Sequence, residues 1–147
     1  MKTVMSGLDL RAIANELSQM VGSHCKKCYQ PHYEQVVLRL RAKSGGNTDL
    51  VLIRGKRIYT SQRDRPMPQY PAPFAMVLRK VLTNARLKAV EQVGFDRVLR
   101  FVFENSHGTF HLYVEVFRDG NIILTDGEDM IIQPLTHATY ADRTLKK

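Results

Sequence analysis

Short runs rich in β-branched and aromatic residues follow one another through the second half of the chain, separated by polar turns. Runs of this length and composition are typical of β-strands joined in an antiparallel arrangement. Asp119 and Gly120 supply a two-residue turn signal before the last of the four main runs, which predicts a hairpin. The predicted strands cover residues 87–93, 95–103, 110–117 and 121–125, with one further candidate strand within 127–135.

Two helices are predicted outside this region. The first covers residues 6–22, with Ser6 as its N-cap, Asp9 three residues later as the second member of a capping box, and Gly22 as its stop. Its apolar residues recur at helical spacing and predict one buried face. The second helix, residues 73–84, has a proline in its first turn, where the missing N–H is not needed for a helical hydrogen bond.

The segment between the helices completes the predicted fold. Residues 34–61 alternate in polarity and contain turn signals at 45–47 and 55–56, which predicts a meander of three short strands. Residues 63–73 hold four of the six prolines and are predicted to form a loop. The sequence therefore predicts an α+β fold, namely a mainly antiparallel two-layer β-sandwich or flattened barrel with two helices.

Positive charge is in excess and is spread along the whole chain. The sequence has 22 Lys and Arg residues against 14 Asp and Glu residues, for a formal net charge of +8. A basic surface assembled by folding favours a polyanionic partner, of which nucleic acid is the first to consider. The alternative is a solvated surface rich in Lys and Arg that has no partner, and composition alone leaves both open.

Length and composition restrict the class of protein further. A chain of 147 residues suits one domain with a single core, so we expect residues 1–147 to form one domain. No apolar run reaches the length of a membrane span, and the first ten residues lack the apolar segment of a secretory signal. With two cysteines and no disulfide framework, a cytoplasmic location is expected. The polar final segment suggests a piece of a longer multidomain protein.

The motif "HCKKC" is the one part of the sequence that suggests a metal. His24, Cys25 and Cys28 supply at most part of a tetrahedral zinc site, and no second cysteine pair exists to complete it. Two ordinary thiols at the entrance of a strand are the expected alternative, so no metal and no cofactor are predicted. Phosphate-binding glycine loops and catalytic motifs are also missing from the sequence, and no enzymatic activity is predicted.

Asp96 and Arg97 are adjacent charges at the start of an otherwise apolar predicted strand. Successive side chains of a strand point to opposite faces, so one of the two shares a face with the phenylalanines. Gly94 precedes the pair and permits a bulge that turns both charges to one mouth of the barrel. Two charges beside a core are tolerable if they lie at such a rim and hold a ligand or each other.

Several blocks in order resemble the N-terminal domain of the NFACT family, ribosome-associated quality-control factors also known as fibronectin-binding protein A. The blocks are "LDLRAIANEL", "CYQP", "VLIRGKRIYTS", "PAPFAMVLRKVLTNARLKAVEQVGFDRVLRFVF" and "FHLYVEVFRDGNIILTD". The resemblance implies a fold similar to the N-terminal domain of formamidopyrimidine-DNA glycosylases. It also implies that the parent protein binds tRNA and the large ribosomal subunit carrying a stalled nascent chain, and that it supports C-terminal tailing without mRNA. We expect the isolated domain to be a monomer that binds no membrane.

The resemblance also implies which residues bind RNA. The functional aspartate of the family's first helix falls on Asp9, and its Asp-Arg pair falls on Asp96 and Arg97. Commonly basic positions of the family fall on residues Arg57, Arg79 and Lys80. Two alternatives are a glycosylase-like domain that acts on DNA and a protein-interaction domain of the fibronectin-binding type. The first is disfavoured because the start, "MKTV", lacks the proline and glutamate that those glycosylases use.

Overall fold

A computed structural model describes residues 7–32, 34–42, 45–61, 72–93, 97–117 and 120–135. The helices are α1 (Gly7–Leu17), continued by a 3-10 turn (Ser18–Met20), and α2 (Pro73–Leu82). The strands are β1 (His24–His32), β2 (Gln35–Arg41), β3 (Asn47–Ile53), β4 (Arg57–Ser61), β5 (Arg86–Gln92), β6 (Val98–Asn105), β7 (Gly108–Glu115), β8 (Ile122–Asp126) and β9 (Ile131–Pro134). The predicted α+β class, with two helices and a mainly antiparallel sheet, is confirmed.

The nine strands of the described residues belong to one sheet in the order β4-β3-β2-β1-β5-β6-β7-β8-β9, and every pairing is antiparallel. The two halves of this order meet where β1 pairs with β5 through His24 and Arg86. We call β1–β4 the first half-sheet and β5–β9 the second half-sheet. Strands β4 and β9 are the ends of the order and do not pair with each other, so the described sheet is open rather than a closed barrel.

The two half-sheets also contact each other far from the β1–β5 junction. Gly55, in the turn between β3 and β4, donates its N–H to the Glu115 carbonyl at 2.8 Å. Arg54 donates from Nη1 to the Gly120 carbonyl at 2.6 Å. Gly120 is required there, because a Cβ on this residue would lie 2.5 Å from the Glu115 carbonyl oxygen. These contacts hold the β3–β4 turn against the connection between β7 and β8.

One hydrophobic core draws on both half-sheets and both helices. Leu10 of α1, Leu78 of α2, Leu38 of β2, Phe101 of β6 and Leu112 of β7 all belong to it and are fully buried. Burying a side chain of this size contributes about 1.5–3 kcal/mol, so the core fixes the position of both helices. None of the described helices is long and apolar enough to span a membrane.

Strand β1 is the main element that the sequence did not predict. Its register shifts between Cys25 and Lys27 and again between Tyr29 and His32, and these irregularities break the alternating pattern of a strand. The first shift also places Cys25 and Cys28 on the same buried side, although residues three apart in a regular strand point to opposite faces. Cys25 is the second residue of β1, as the prediction of thiols at a strand entrance requires, and Cys28 lies further along the same strand.

The other predicted elements are found with shifted bounds. The first helix ends at Leu17, earlier than predicted, and the chain passes through the 3-10 turn to Gly22, whose φ of 100° suits a stop. The hairpin around Asp119 and Gly120 is confirmed by the pairing of β7 with β8. Ser6, Gly94 and Asp119 themselves, and most of the proline-rich loop, lie outside the described residues.

Candidate nucleic-acid interface

The outer side of the first half-sheet carries a row of four register partners, one from each strand. Tyr29 pairs with Val37, Val37 with Val51, and Val51 with Tyr59. Their strand neighbours, including Leu38, point into the main core, so this row faces away from it. The four residues form a second, smaller apolar cluster that we call the tyrosine face. Three strand spacings separate the two tyrosines, a distance of about 14 Å.

Arginine side chains lie over both tyrosine rings. The guanidinium carbons of Arg39 and Arg79 are 5.4 Å and 5.3 Å from the centre of the Tyr29 ring. The guanidinium carbon of Arg57 is 5.0 Å from the centre of the Tyr59 ring. These distances are within the range of cation–π attraction, which orients a guanidinium against the ring.

Of these three arginines, only Arg39 forms an ion pair with a carboxylate of the described residues. Its Nε and Nη2 atoms donate to the two carboxylate oxygens of Asp49 at 2.8 Å and 3.1 Å. The Asp49 side chain is 5% exposed, so this two-point ion pair is largely removed from water. Because Arg39 is compensated in this way, a second guanidinium can lie over the same Tyr29 ring without strong repulsion.

The charges of Arg57 and Arg79 are not balanced in this way by the described residues. The Nε atom of Arg79 donates to the Cys28 carbonyl at 2.8 Å, which leaves the two terminal nitrogens of the guanidinium for other acceptors. Within the described part of the chain, no carboxylate pairs with Arg57 or with Arg79. One uncompensated guanidinium therefore lies at each end of the tyrosine face. Their donors match phosphate oxygens in geometry and charge.

Further basic residues surround this face. Lys80, next to Arg79 on α2, is exposed. Lys27 of β1 and Arg41 of β2 are also exposed, and alternation places both on the outer side of the first half-sheet. Several positive side chains therefore lie on this side of the described structure, as the basic composition led us to expect.

The remaining predicted residues lie elsewhere. Asp9 is in the first turn of α1 and is half-buried, and it has interactions within the protein. Arg97 directly precedes β6, one of the strands against which α1 packs, and its carbonyl accepts the Val116 N–H at 2.9 Å. Asp96 lies outside the described residues. Arg57 and Arg79 therefore share one surface, while Arg97 belongs to the second half-sheet.

Sequence reasoning missed Tyr29, Tyr59 and Arg39 as members of a possible site. Arg57 and Tyr59 are two residues apart at the start of β4, and this spacing alone places them on one face once the predicted strand is extended by one residue. Tyr29 had no such signal, because the strand that carries it is irregular. The Arg79–Tyr29 contact joins residues 50 positions apart and arises from the packing of α2.

Arg100 and Tyr113 form a similar pair on the second half-sheet, but its charge is compensated. The Arg100 guanidinium carbon is 6.0 Å from the Tyr113 ring centre, and its Nη2 atom is 2.7 Å from a Glu91 carboxylate oxygen. Tyr113 donates to Asp129 at 2.5 Å, and His111 lies 3.0 Å from the same carboxylate oxygen. Burial opposes ionisation of Asp129, but these hydrogen bonds outweigh it and lower the pKa of Asp129. Acidic groups thus balance the positive charge here.

The two cysteines lie together in the core. Their Sγ atoms are 3.6 Å apart, and both residues are buried. The hydrogen bond to Cys25 and burial raise the pKa of the Cys28 thiol well above its usual value. Across the residues that can be described, no group of three His, Cys, Asp or Glu side chains is placed to hold a metal ion.

Comparisons with known proteins give a consistent result. The family of NFACT N-terminal and middle domains matches residues 6–147. The archaeal Rqc2 homolog aRqcH of Methanocaldococcus jannaschii is 37% identical over 150 residues, covering 99% of this chain and 22% of the relative. The human ribosome quality control complex subunit NEMF is 35% identical over 140 residues, covering 95% of this chain and 13% of the relative.

A solved structure shares the fold. The N-terminal part of the fibronectin/fibrinogen-binding protein of Streptococcus suis superposes with a TM-score of 0.85 and 28% sequence identity, covering 97% of this chain and 57% of that chain. The chain described here therefore spans just over half of that structure and less than a quarter of the two relatives.

Proposed function

The chain belongs to the NFACT family, and from this membership together with its basic surface we propose that it is a tRNA-binding module of a ribosome quality-control factor. Relatives that match along most of the chain are named as Rqc2 homologues or as subunits of the ribosome quality control complex. In the full-length protein the module would act on large ribosomal subunits with stalled nascent chains and support C-terminal tailing without mRNA. It would do so in the cytoplasm by binding, as a monomeric domain without catalysis.

One observation carries the RNA-binding part of the proposal. The Arg57 and Arg79 guanidiniums are uncompensated by any carboxylate of the described residues, whereas Arg39 and Arg100 are each paired with one. Leaving two oriented positive groups on one surface favours a polyanion, because phosphate oxygens accept from guanidinium in a two-point geometry. Lys80 adds positive charge next to Arg79 and would contribute less specifically.

Asp9, Asp96 and Arg97 would form a second, more specific contact. A carboxylate repels the phosphate backbone of an RNA. Asp9 and Asp96 can favour RNA binding only if they orient a neighbouring group or accept a hydrogen bond from a base or a ribose hydroxyl. We place this contact near the start of β6, where Arg97 lies.

The proposal is tested by equilibrium binding of fluorescently labelled tRNA to the 147-residue chain as a function of salt. If four to six phosphates are contacted, affinity falls by about two to three orders of magnitude between about 50 and 200 mM salt. Arg57→Ala and Arg79→Ala should each weaken binding and make the salt dependence shallower. Lys88→Gln is the matched control, because Lys88 is a surface cation already paired with Glu104.

Several outcomes would contradict the proposal. The absence of tRNA binding at low salt would remove it altogether. Binding that does not change with salt, or that is equally tight for a fibronectin fragment, would favour a protein-interaction domain instead. Tighter binding to duplex DNA than to tRNA would favour the glycosylase-like alternative.

A further inference from the structure

We propose, on the basis of the RNA-binding function above, that the tyrosine face binds two separate phosphates of one folded RNA. Arg57 on Tyr59 would bind one phosphate and Arg79 on Tyr29 the other. The recognition would read the spacing of phosphates in the backbone and not the identity of the bases.

Both guanidiniums are held in place before any ligand arrives. Arg57 lies over the Tyr59 ring, and Arg79 is fixed by both the Tyr29 ring and the Cys28 carbonyl. A long side chain loses rotational freedom when it binds an anion, and this loss is smaller when the side chain is already oriented. The two rings therefore make the arginines better phosphate ligands than free surface arginines.

Arg39 positions the Tyr29 ring. It lies over the same ring as Arg79 but gives two of its donors to Asp49. Its position fixes the Tyr29 ring, while Arg79 over the same ring has no carboxylate partner among the residues that the structure describes. Arg39 is thus a positioning residue for Tyr29, not a phosphate ligand.

The two arginines lie over rings at opposite ends of the row. The strands that carry the two tyrosines are about 14 Å apart, whereas a donor must come within about 3 Å of a phosphate oxygen. Because each guanidinium is held over its own ring, we assign a separate phosphate to each arginine. The ligand must present at least two phosphates in a fixed relation, which a folded RNA does and a mononucleotide does not.

The centre of the row is closed to a ligand. Val37 and Val51 are both 0% exposed, so neither side chain can contact an RNA. At the two ends of the row Arg57 is exposed and Arg79 is half-buried, and their guanidinium donors match phosphate oxygens. The tyrosine face is therefore assigned to backbone contacts, and base-specific contacts come from another part of the molecule.

The experiment compares variants that keep or remove the ring beneath Arg57. Tyr59→Phe keeps the ring face and should bind tRNA within about twofold of the unchanged chain, whereas Tyr59→Leu and Arg57→Ala should each weaken binding by about tenfold. Arg57→Lys keeps the charge but loses the planar group and should weaken binding by about threefold. Since Arg57 is exposed, the Arg57 variants test the proposal even if Tyr59→Leu lowers stability.

Arg100→Ala is the matched control. It removes the same charge from an arginine that also lies over a tyrosine ring, but one that Glu91 neutralises, so tRNA affinity should stay within about twofold. The double variant Arg57→Ala/Arg79→Ala should lose the product of the two single effects, as expected for contacts with two independent phosphates. Adenosine monophosphate at millimolar concentration should not compete with tRNA.

The outcomes separate this proposal from the function on which it rests. If tRNA binds with a steep salt dependence but Tyr59→Leu, Arg57→Lys and Arg57→Ala bind as tightly as the unchanged chain, the two-phosphate proposal is wrong and RNA binding stands. Equal losses for Arg57→Ala and Arg100→Ala would also overturn it, because net charge alone would then explain binding. Failure of the unchanged chain to bind tRNA would overturn both.

Discussion

Arg39 and Asp49 are register partners on β2 and β3, and two hydrogen bonds of 2.8 Å and 3.1 Å join the guanidinium to the carboxylate. The two partners differ in burial, since the Arg39 side chain is 30% exposed and the Asp49 side chain is 5% exposed. The pair supports the tyrosine face from one end. Because the carboxylate is the more buried partner, removing Arg39 and removing the charge of Asp49 should differ in their cost to stability.

Arg39→Ala is expected to destabilise the fold more than Asp49→Asn. Removing the arginine leaves a buried carboxylate without its partner, which should lower the free energy of unfolding by about 3–5 kcal/mol. Asp49→Asn should cost about 1–2 kcal/mol, because the half-exposed guanidinium can reach water and the amide still offers an acceptor. Chemical denaturation of both variants measures the difference, and a larger loss for Asp49→Asn would contradict the assigned burial.

The buried thiol pair predicts a stability change at high pH. Because the pKa of Cys28 is raised in the folded state, its contribution is present below the unfolded thiol pKa of about 8.5 and is lost as pH rises through the folded value. The unchanged chain should lose more stability between about pH 8 and pH 10 than Cys28→Ala does. Thermal melts at these pH values measure it. Parallel pH profiles for the two chains would show that the thiol is not responsible.

The same cysteines are expected to remain metal-free. A structural zinc site needs four ligands, and the described residues around Cys25 and Cys28 offer two sulfurs without a third metal-binding side chain. Elemental analysis of the purified chain should find no stoichiometric zinc, and a chelator should leave the melting temperature unchanged. Stoichiometric zinc that disappears in Cys25→Ser, together with a loss of stability, would contradict this expectation.

Asp129 predicts a stability change at low pH. Its folded pKa is lowered, because hydrogen bonds from Tyr113 and His111 outweigh the opposing effect of burial. The contribution is therefore present above the unfolded carboxylate pKa of about 3.9 and is lost as pH falls through the folded value. Asp129→Asn should flatten the decline of stability below about pH 4, with Glu128→Gln, an exposed neighbour, as the control. An unchanged profile would indicate that the network does not stabilise the carboxylate.

Asp96 and Arg97 are expected to act as a unit in tRNA recognition. If Asp96 orients the guanidinium or accepts from the RNA, Asp96→Ala should reduce tRNA selectivity about as much as Arg97→Ala, although it raises the net charge. The double variant should lose little more than either single variant. Binding of cognate and non-cognate tRNAs, with thermal melts as a control, measures this. Unchanged selectivity in Asp96→Ala would show that the carboxylate has no role.

The sequence by itself determined the local elements. Runs of suitable composition, bounded by turn or capping residues, predict strands β5–β9, the meander and both helices. These signals act over only a few residues, so they can be read from the sequence. The Arg57–Tyr59 relation is likewise local, because a spacing of two in a strand places both side chains on one face. The blocks that resemble the NFACT family also depend only on residue order.

Only the tertiary structure decided the rest. Strand β1 is irregular, so its place at the centre of the sheet depends on pairing with β2 and β5 and not on its own pattern. The contact of Arg79 with Tyr29 requires α2 to pack beside β1, which the shared core enforces. Asp49, the carboxylate that pairs with Arg39, comes from the neighbouring strand. The spacing of residues along the sequence does not show which carboxylate will lie beside a given arginine. The uncompensated arginines of the tyrosine face are therefore a property of the packed molecule.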